Sequence, residues 1–187
     1  NQQWMSIIDL EGYWGKVGLD PQGQAVVVYD KVLEGDMYAW RAVKFDVNGT
    51  QLWDIEVTGD AFSYSNLLMD GSGTALIVDK DILYLVDSAG TVTSHSLSLG
   101  GGGMIVDSSW GEGSHILVTG IADTDLTGGS ATCTDFTCVF AAKIDTSGAV
   151  SWVQVHEAHA AHGMAVESLP SGGALIAVSV DASFTMN

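Results

Sequence analysis

Apolar and polar residues alternate along much of this chain. In Thr50–Val57 and Ala149–Val155 apolar and β-branched residues alternate with polar ones over most of the run. Successive side chains of a strand point to opposite faces, so this period of two selects strands over helices. Three other runs, Gly23–Val28, Gly73–Val78 and Gly173–Val178, turn almost wholly apolar after a glycine, and Ser114–Val118 is a looser match. Such runs predict strands buried on both faces. No apolar stripe at i, i+3, i+4 extends beyond two turns, so the regular structure is expected to be antiparallel β, with helix minor or absent.

The strands recur in a fixed order. Ala42–Trp53, Leu83–Ser94 and Ala141–Trp152 share one skeleton: an apolar strand, an Asp-x-x-Gly turn, then an alternating strand. The turn aspartates are Asp46, Asp87 and Asp145, which lie 41 and 58 residues apart. Spacing on the order of 40–50 residues marks solenoids, propellers or arrays. Asp can accept hydrogen bonds from backbone N–H groups ahead of it, and Gly supplies the positive φ of a tight hairpin. No calcium-loop run of alternating Asp with a distal Glu occurs, so these turns read as hairpins. Trp53 and Trp152 follow the turn glycine by four residues and are expected to fill the wedge between twisted sheets; Ser94 stands at that position in the second repeat, where the wedge must be filled another way.

The expected fold is therefore all-β, a β-propeller of four-stranded antiparallel blades, treated as one region over residues 1–187. Blade 1 covers about 13–57, blade 2 about 61–98 and blade 3 about 102–156. A strand of a preceding blade is expected at about 3–9, and a partial blade 4 at about 163–187. With a third strand missing at the end, the chain is expected to be part of a longer polypeptide, or to take further blades from another chain, because open sheet edges are usually closed or covered. It starts at Asn1, not Met, without a charged and then apolar leader, so a signal or another domain is expected to have preceded it.

The Lys-φ-Asp-x-x-Gly-x-φ-x-Trp pattern, complete at Lys143–Trp152 and with Gln51 at its second apolar position at Lys44–Trp53, followed by a Gly-rich turn and an apolar strand, resembles bacterial-type propeller repeats. These include the quinoprotein-like (PQQ-like) repeat and the related repeats of secreted and surface propeller proteins. The resemblance covers most of the chain. It implies the blade architecture and, as one option, a propeller domain of a quinoprotein-like oxidoreductase whose active site lies partly outside this segment.

Alternating strand direction sorts the connections. The short turns Asp20–Gly23, Asp46–Gly49, Asp70–Gly73, Asp87–Gly90 and Asp145–Gly148 fall on one face, and the loops joining second to third strands, and blade to blade, fall on the other. The second-to-third loop is shortest at Asp79–Asp81, longer at Asp30–Met37 and longest at about Ile121–Thr137. Variable loops on a rigid scaffold are where recognition sits. The same face is expected to carry Tyr13, Trp14, Tyr38 and Trp40, aromatics suited either to stacking on sugar rings or to packing between blades.

Charge changes the picture of the partner. Six basic against 23 acidic side chains give a formal net charge of −17. That excess argues against nucleic acid and against an anionic membrane surface, since both are bound through Lys and Arg. No apolar run approaches a membrane span. Cys133 and Cys138 flank the end of the longest loop and are expected to form a disulfide, which places the chain in an oxidising compartment: extracellular or at the cell surface. His156, His159 and His162 could converge on a divalent metal; His156–His159 is one residue short of HExxH and sits among strands, so protease chemistry does not follow. No G-x-S-x-G occurs, and the four glycines at Gly100–Gly103 precede no helix pattern. No catalytic residue and no cofactor are predicted. The leading expectation is a non-catalytic scaffold that binds a protein or glycan through its variable loops, with a quinoprotein-like enzyme domain and a glycan-binding propeller as alternatives.

Overall fold

The computed structural model describes residues 14–32, 38–58, 66–97, 99, 104–111, 113–122, 126, 138–157, 161–169, 171 and 173–180. Every regular element among them is a strand, and the strands form antiparallel meanders. The first sheet runs β1 (Gly15–Leu19), β2 (Ala25–Val32), β3 (Tyr38–Phe45) and β4 (Gln51–Thr58) in chain order. The second follows the same order with β5 (Asn66–Met69), β6 (Ala75–Asp79), β7 (Ile82–Val86) and β8 (Val92–Ser96). The third does so with β9 (Met104–Trp110), β10 (His115–Ala122), β11 (Cys138–Asp145) and β12 (Val150–Glu157). The fourth pairs β13 (Ala161–Ser168) with β14 (Ala174–Val180). The strand expected at 3–9 lies outside the described residues, as do the last residues of the expected fourth blade.

Burial follows strand position. The middle strands are flanked on both edges, and Val26, Val28, Leu76, Ile77, Leu83, Ile116, Val118 and Ala142 are wholly buried. Burying a side chain of Val, Leu or Ile stabilises by about 1.5–3 kcal/mol, so these apolar runs supply the core. The fourth strand of the second sheet, Val92–Ser96, is polar and largely exposed. That contrast is the reason second strands read as continuous apolar runs and fourth strands as alternating ones.

The chain divides into two compact units. The first is built on the first sheet with Leu67–Ile77 and Tyr84–Thr93; the second on the third and fourth sheets with Val78–Leu83 and the end of the second sheet from Ser94. Within the first unit, the face of β1 at Gly18 meets Met69 and Leu67: a Cβ on Gly18 would lie 2.6 Å from Met69 Cγ. Trp53 of β4 lies over the β7–β8 turn, where it donates from Nε1 to the Ser88 carbonyl at 3.1 Å and covers Gly90, whose Cβ would stand 3.2 Å from the indole. Within the second unit the equivalent seat is Gly148, in the β11–β12 turn. The Ser96 carbonyl and His95 Cβ lie 2.9 and 3.3 Å from where its Cβ would be. The second repeat, with Ser94 in place of tryptophan, thus fills its wedge with backbone and His95.

Candidate functional site

The five short turns share one construction. In each, the Gly N–H donates to the Asp carbonyl three residues back at 2.9–3.2 Å. The glycines Gly23, Gly49, Gly73, Gly90 and Gly148 have φ between 78° and 88°, a region that favours glycine. The Asp Oδ1 accepts backbone N–H groups two and four residues ahead: Asn48 and Thr50 on Asp46, Ser72 and Thr74 on Asp70, Ala89 and Thr91 on Asp87, Ser147 and Ala149 on Asp145. These donors stabilise the anion. The N–H of Thr50 is the main cause holding the Asp46 carboxyl below its ordinary value, and that of Thr91 does the same for Asp87. For Asp145 the main cause is the Ser147 side chain, followed by the N–H of Ala149. The acidity of this edge is thus committed to shaping the backbone.

The turn at Asp20–Gly23 adds a feature that the sequence did not reveal. Asp20 Oδ1 accepts from Gln22 N at 3.0 Å and Gln24 N at 2.8 Å, while Oδ2 stands 3.2 Å from the Lys44 ammonium. Both side chains are buried, exposed by only 1% and 2%. Burial pushes the Asp20 carboxyl up, but the Gln24 N–H, the Lys44 ammonium and the Gln22 N–H together outweigh it and hold it below its ordinary value. Gly73 of the neighbouring turn stands over Asp20, its Cβ position 3.4 Å from Asp20 Oδ2. Lys143 occupies the same repeat position in the third sheet and is only half buried.

A second polar tie lies on the first strands. Asp107 of β9 accepts from Asn66 Nδ2 of β5 at 2.6 Å and from the Val166 N–H of β13 at 2.9 Å. Asn66 Nδ2 also donates to the Ser108 carbonyl at 3.0 Å. One carboxylate therefore joins three successive first strands. The available signal was a charged residue set inside the apolar strand Met104–Trp110, but nothing in the sequence named its partners.

The sequence-predicted site residues separate. Trp14 precedes β1 and is 61% exposed; its N–H donates to Asp30 Oδ1 at 2.6 Å, and its carbonyl accepts from the Asp30 N–H. Tyr38 opens β3 half-buried. Trp40, paired across the sheet with Asp30, is 3% exposed and belongs to the core, so it offers no surface for stacking. Tyr13 lies outside the described residues. His156 is exposed near the end of β12, opposite Val139. His162 is in β13, its backbone in register with Ser179, and His159 lies outside the described residues. Cys138 opens β11 and is wholly buried; Cys133 lies outside the described residues. Among the described residues no cysteine is free, and no group of three or more His, Cys, Asp and Glu side chains is placed to hold a metal. No helix among them is long and apolar enough to cross a membrane.

No protein-family model and no curated protein matches the chain. Among solved structures, three single-substitution mutants of the Synechocystis apocarotenoid oxygenase are similar at 13% sequence identity with a TM-score of 0.45. The match covers 80% of this chain and 40% of each of theirs. A likeness at this level says nothing of what this chain binds or catalyses.

Proposed function

We propose that the chain is a non-catalytic scaffold whose sheets are propeller blades, and that it binds a protein or glycan through the loops joining second to third strands and blade to blade. The observation that carries this reading is the repeated seating of one sheet on the next. Trp53 on Gly90 and Ser96 on Gly148 occupy the same turn of successive sheets, as they would if one blade-to-blade step recurred. The carboxylates at the short-turn edge serve their own backbone, and Asp107 ties strand to strand, which supports a framework role. That leaves recognition to the opposite edge, where loop length varies most.

The reading extends to an oxidising compartment, with Cys133 bonded to Cys138. A buried Cys138 at the foot of the longest loop supports this, and such a small closed loop contributes about 2 kcal/mol. The test replaces residues 123–137 with a short connection like that between β6 and β7, then compares parent and variant on a glycan array and in binding to candidate protein partners. Retained strand signal with lost binding is the expected result. Binding that survives the exchange places recognition elsewhere. Quinone absorbance in purified protein, with turnover of an alcohol substrate, would replace the scaffold reading by the quinoprotein-like one.

A further inference from the structure

The five Asp-x-x-Gly turns differ in the residues on either side of the glycine. Before it stand Gln22, Asn48, Ser72, Ala89 and Ser147; after it stand Gln24, Thr50, Thr74, Thr91 and Ala149. Threonine after the glycine recurs in three turns, where its N–H bonds the aspartate. Only in the β3–β4 turn does an asparagine precede the glycine. Asn48-Gly49-Thr50 is thus the single Asn-x-Ser/Thr tripeptide in the chain, and that tripeptide is the acceptor signature for an N-linked sugar. Asp46 also stands two residues before Asn48, the acidic position that bacterial transferases require in addition.

The folded turn has room for a sugar. Val47, Asn48 and Thr50 are all exposed. Backbone groups close the turn: the Asp46 N–H donates to the Thr50 carbonyl at 2.9 Å and the Gly49 N–H to the Asp46 carbonyl at 3.0 Å. The N–H groups of Asn48 and Thr50 each reach Asp46 Oδ1 at 2.8 Å. Contact with the neighbouring turn falls on Val47, whose Cγ1 lies 3.6 Å from the Cβ position of Gly23. Behind the Thr50 N–H, the Asn48 side chain is one of the donors that hold the Asp46 carboxyl low, and an amide that bears a sugar keeps one N–H for that bond. Modification at Asn48 therefore removes none of the bonds that shape the hairpin.

We propose that Asn48 is an acceptor for an N-linked oligosaccharide, carried on the short-turn edge of the first sheet and away from the loops proposed for recognition. The donor is an oligosaccharide on a lipid pyrophosphate, and the transfer is made by a membrane-bound transferase of the export route. The Asn48 amide nitrogen attacks the first carbon of the sugar. A C–N bond forms, the bond from that carbon to the pyrophosphate oxygen breaks, the lipid pyrophosphate leaves with the electron pair, and the amide gives up one proton. The inference rests on the reading that the chain is exported. Export is therefore imposed in the test, so that the acceptor and the compartment can fail separately.

The chain is secreted behind a cleavable leader from a yeast and, separately, into a bacterial periplasm supplied with an oligosaccharyltransferase. Intact mass and electron-transfer fragmentation of the peptides then locate any sugar. The expected result is one oligosaccharide, on Asn48, in protein that keeps the cooperative melt of the Asn48→Gln variant. Asn48→Gln and Thr50→Ala should lose the sugar completely. Thr50→Ser keeps both the hydroxyl and the N–H that bonds Asp46, and should retain it. Asp46→Asn should lose it in the bacterial host and keep it in the yeast. The proposal is overturned by secreted protein that is bare in both hosts, by sugar on another residue, by conversion of Asn48 to Asp with no sugar attached, or by sugar confined to protein without a cooperative melt. Free Cys133 and Cys138 thiols in sugar-bearing protein would remove the disulfide and leave the acceptor standing.

Discussion

Removing the Lys44 ammonium tests how the first two turns are locked together. In Lys44→Met the stem keeps its volume and the charge is lost. Asp20 then keeps its two backbone donors, Gln22 and Gln24 at 3.0 and 2.8 Å, but loses the cation at 3.2 Å while remaining under the Gly73 turn. A buried pair broken on one side costs about 3–5 kcal/mol, because the surviving charge is uncompensated. The two retained N–H donors soften this, which puts the expectation near the lower end, about 3 kcal/mol. Asp20→Asn strands the ammonium instead and should cost as much. The double variant removes both charges and should recover much of the loss, so a double-mutant cycle in urea should return a coupling of about 2 kcal/mol or more. The pH dependence has a definite sign. The folded Asp20 carboxyl lies below its ordinary value, so its contribution is present above that value and is lost as pH falls through the depressed one. The cost of Lys44→Met should therefore be largest near neutral pH and shrink as pH falls through the depressed value. Singles that each cost under 1 kcal/mol, with no coupling, would refute the buried pair.

Asp46→Ala, Asp87→Ala and Asp145→Ala should each lower the melting temperature, Asn at the same positions should lower it less, and the parent should lose stability as pH falls through the depressed range of these carboxyls; calorimetry from pH 7 down to pH 2 checks this. Gly120→Ala should destabilise by about 1–3 kcal/mol or more, because a Cβ at that bulge runs into the Met104 carbonyl and stands 2.8 Å from the Phe140 ring; denaturant melts measure it. Asp107→Ala should cost about 1–3 kcal/mol for each donor left without its acceptor, and hydrogen exchange should rise at Val166 before the global melt. Intact mass of the native protein after alkylation should show no label on Cys133 or Cys138, and two labels after reduction; labelling without reduction would remove the proposed bond.

Strands and turns were legible from the chain alone. Period-two alternation, apolar second strands and Asp-x-x-Gly hairpins are local properties: a turn aspartate meets its donors within four residues, and a turn glycine needs positive φ wherever the sheet lies. The expectation of a β-only chain with four-stranded meanders follows from those local rules and agrees with the three complete sheets. Which members of a repeat differ emerged only from the packing around them. Lys44 and Lys143 stand in the same motif, yet only Lys44 is wholly buried against an aspartate, and the neighbouring turn at Gly73 stands over that aspartate. Trp40 read as suited either to stacking on sugar rings or to packing, and only the packed sheets placed it in the core, 3% exposed. Asp107 chose partners 41 and 59 residues away, on strands that only sheet-to-sheet packing brings near. Repetition makes each unit legible on its own; what a unit touches depends on its neighbour, and no local pattern encodes that.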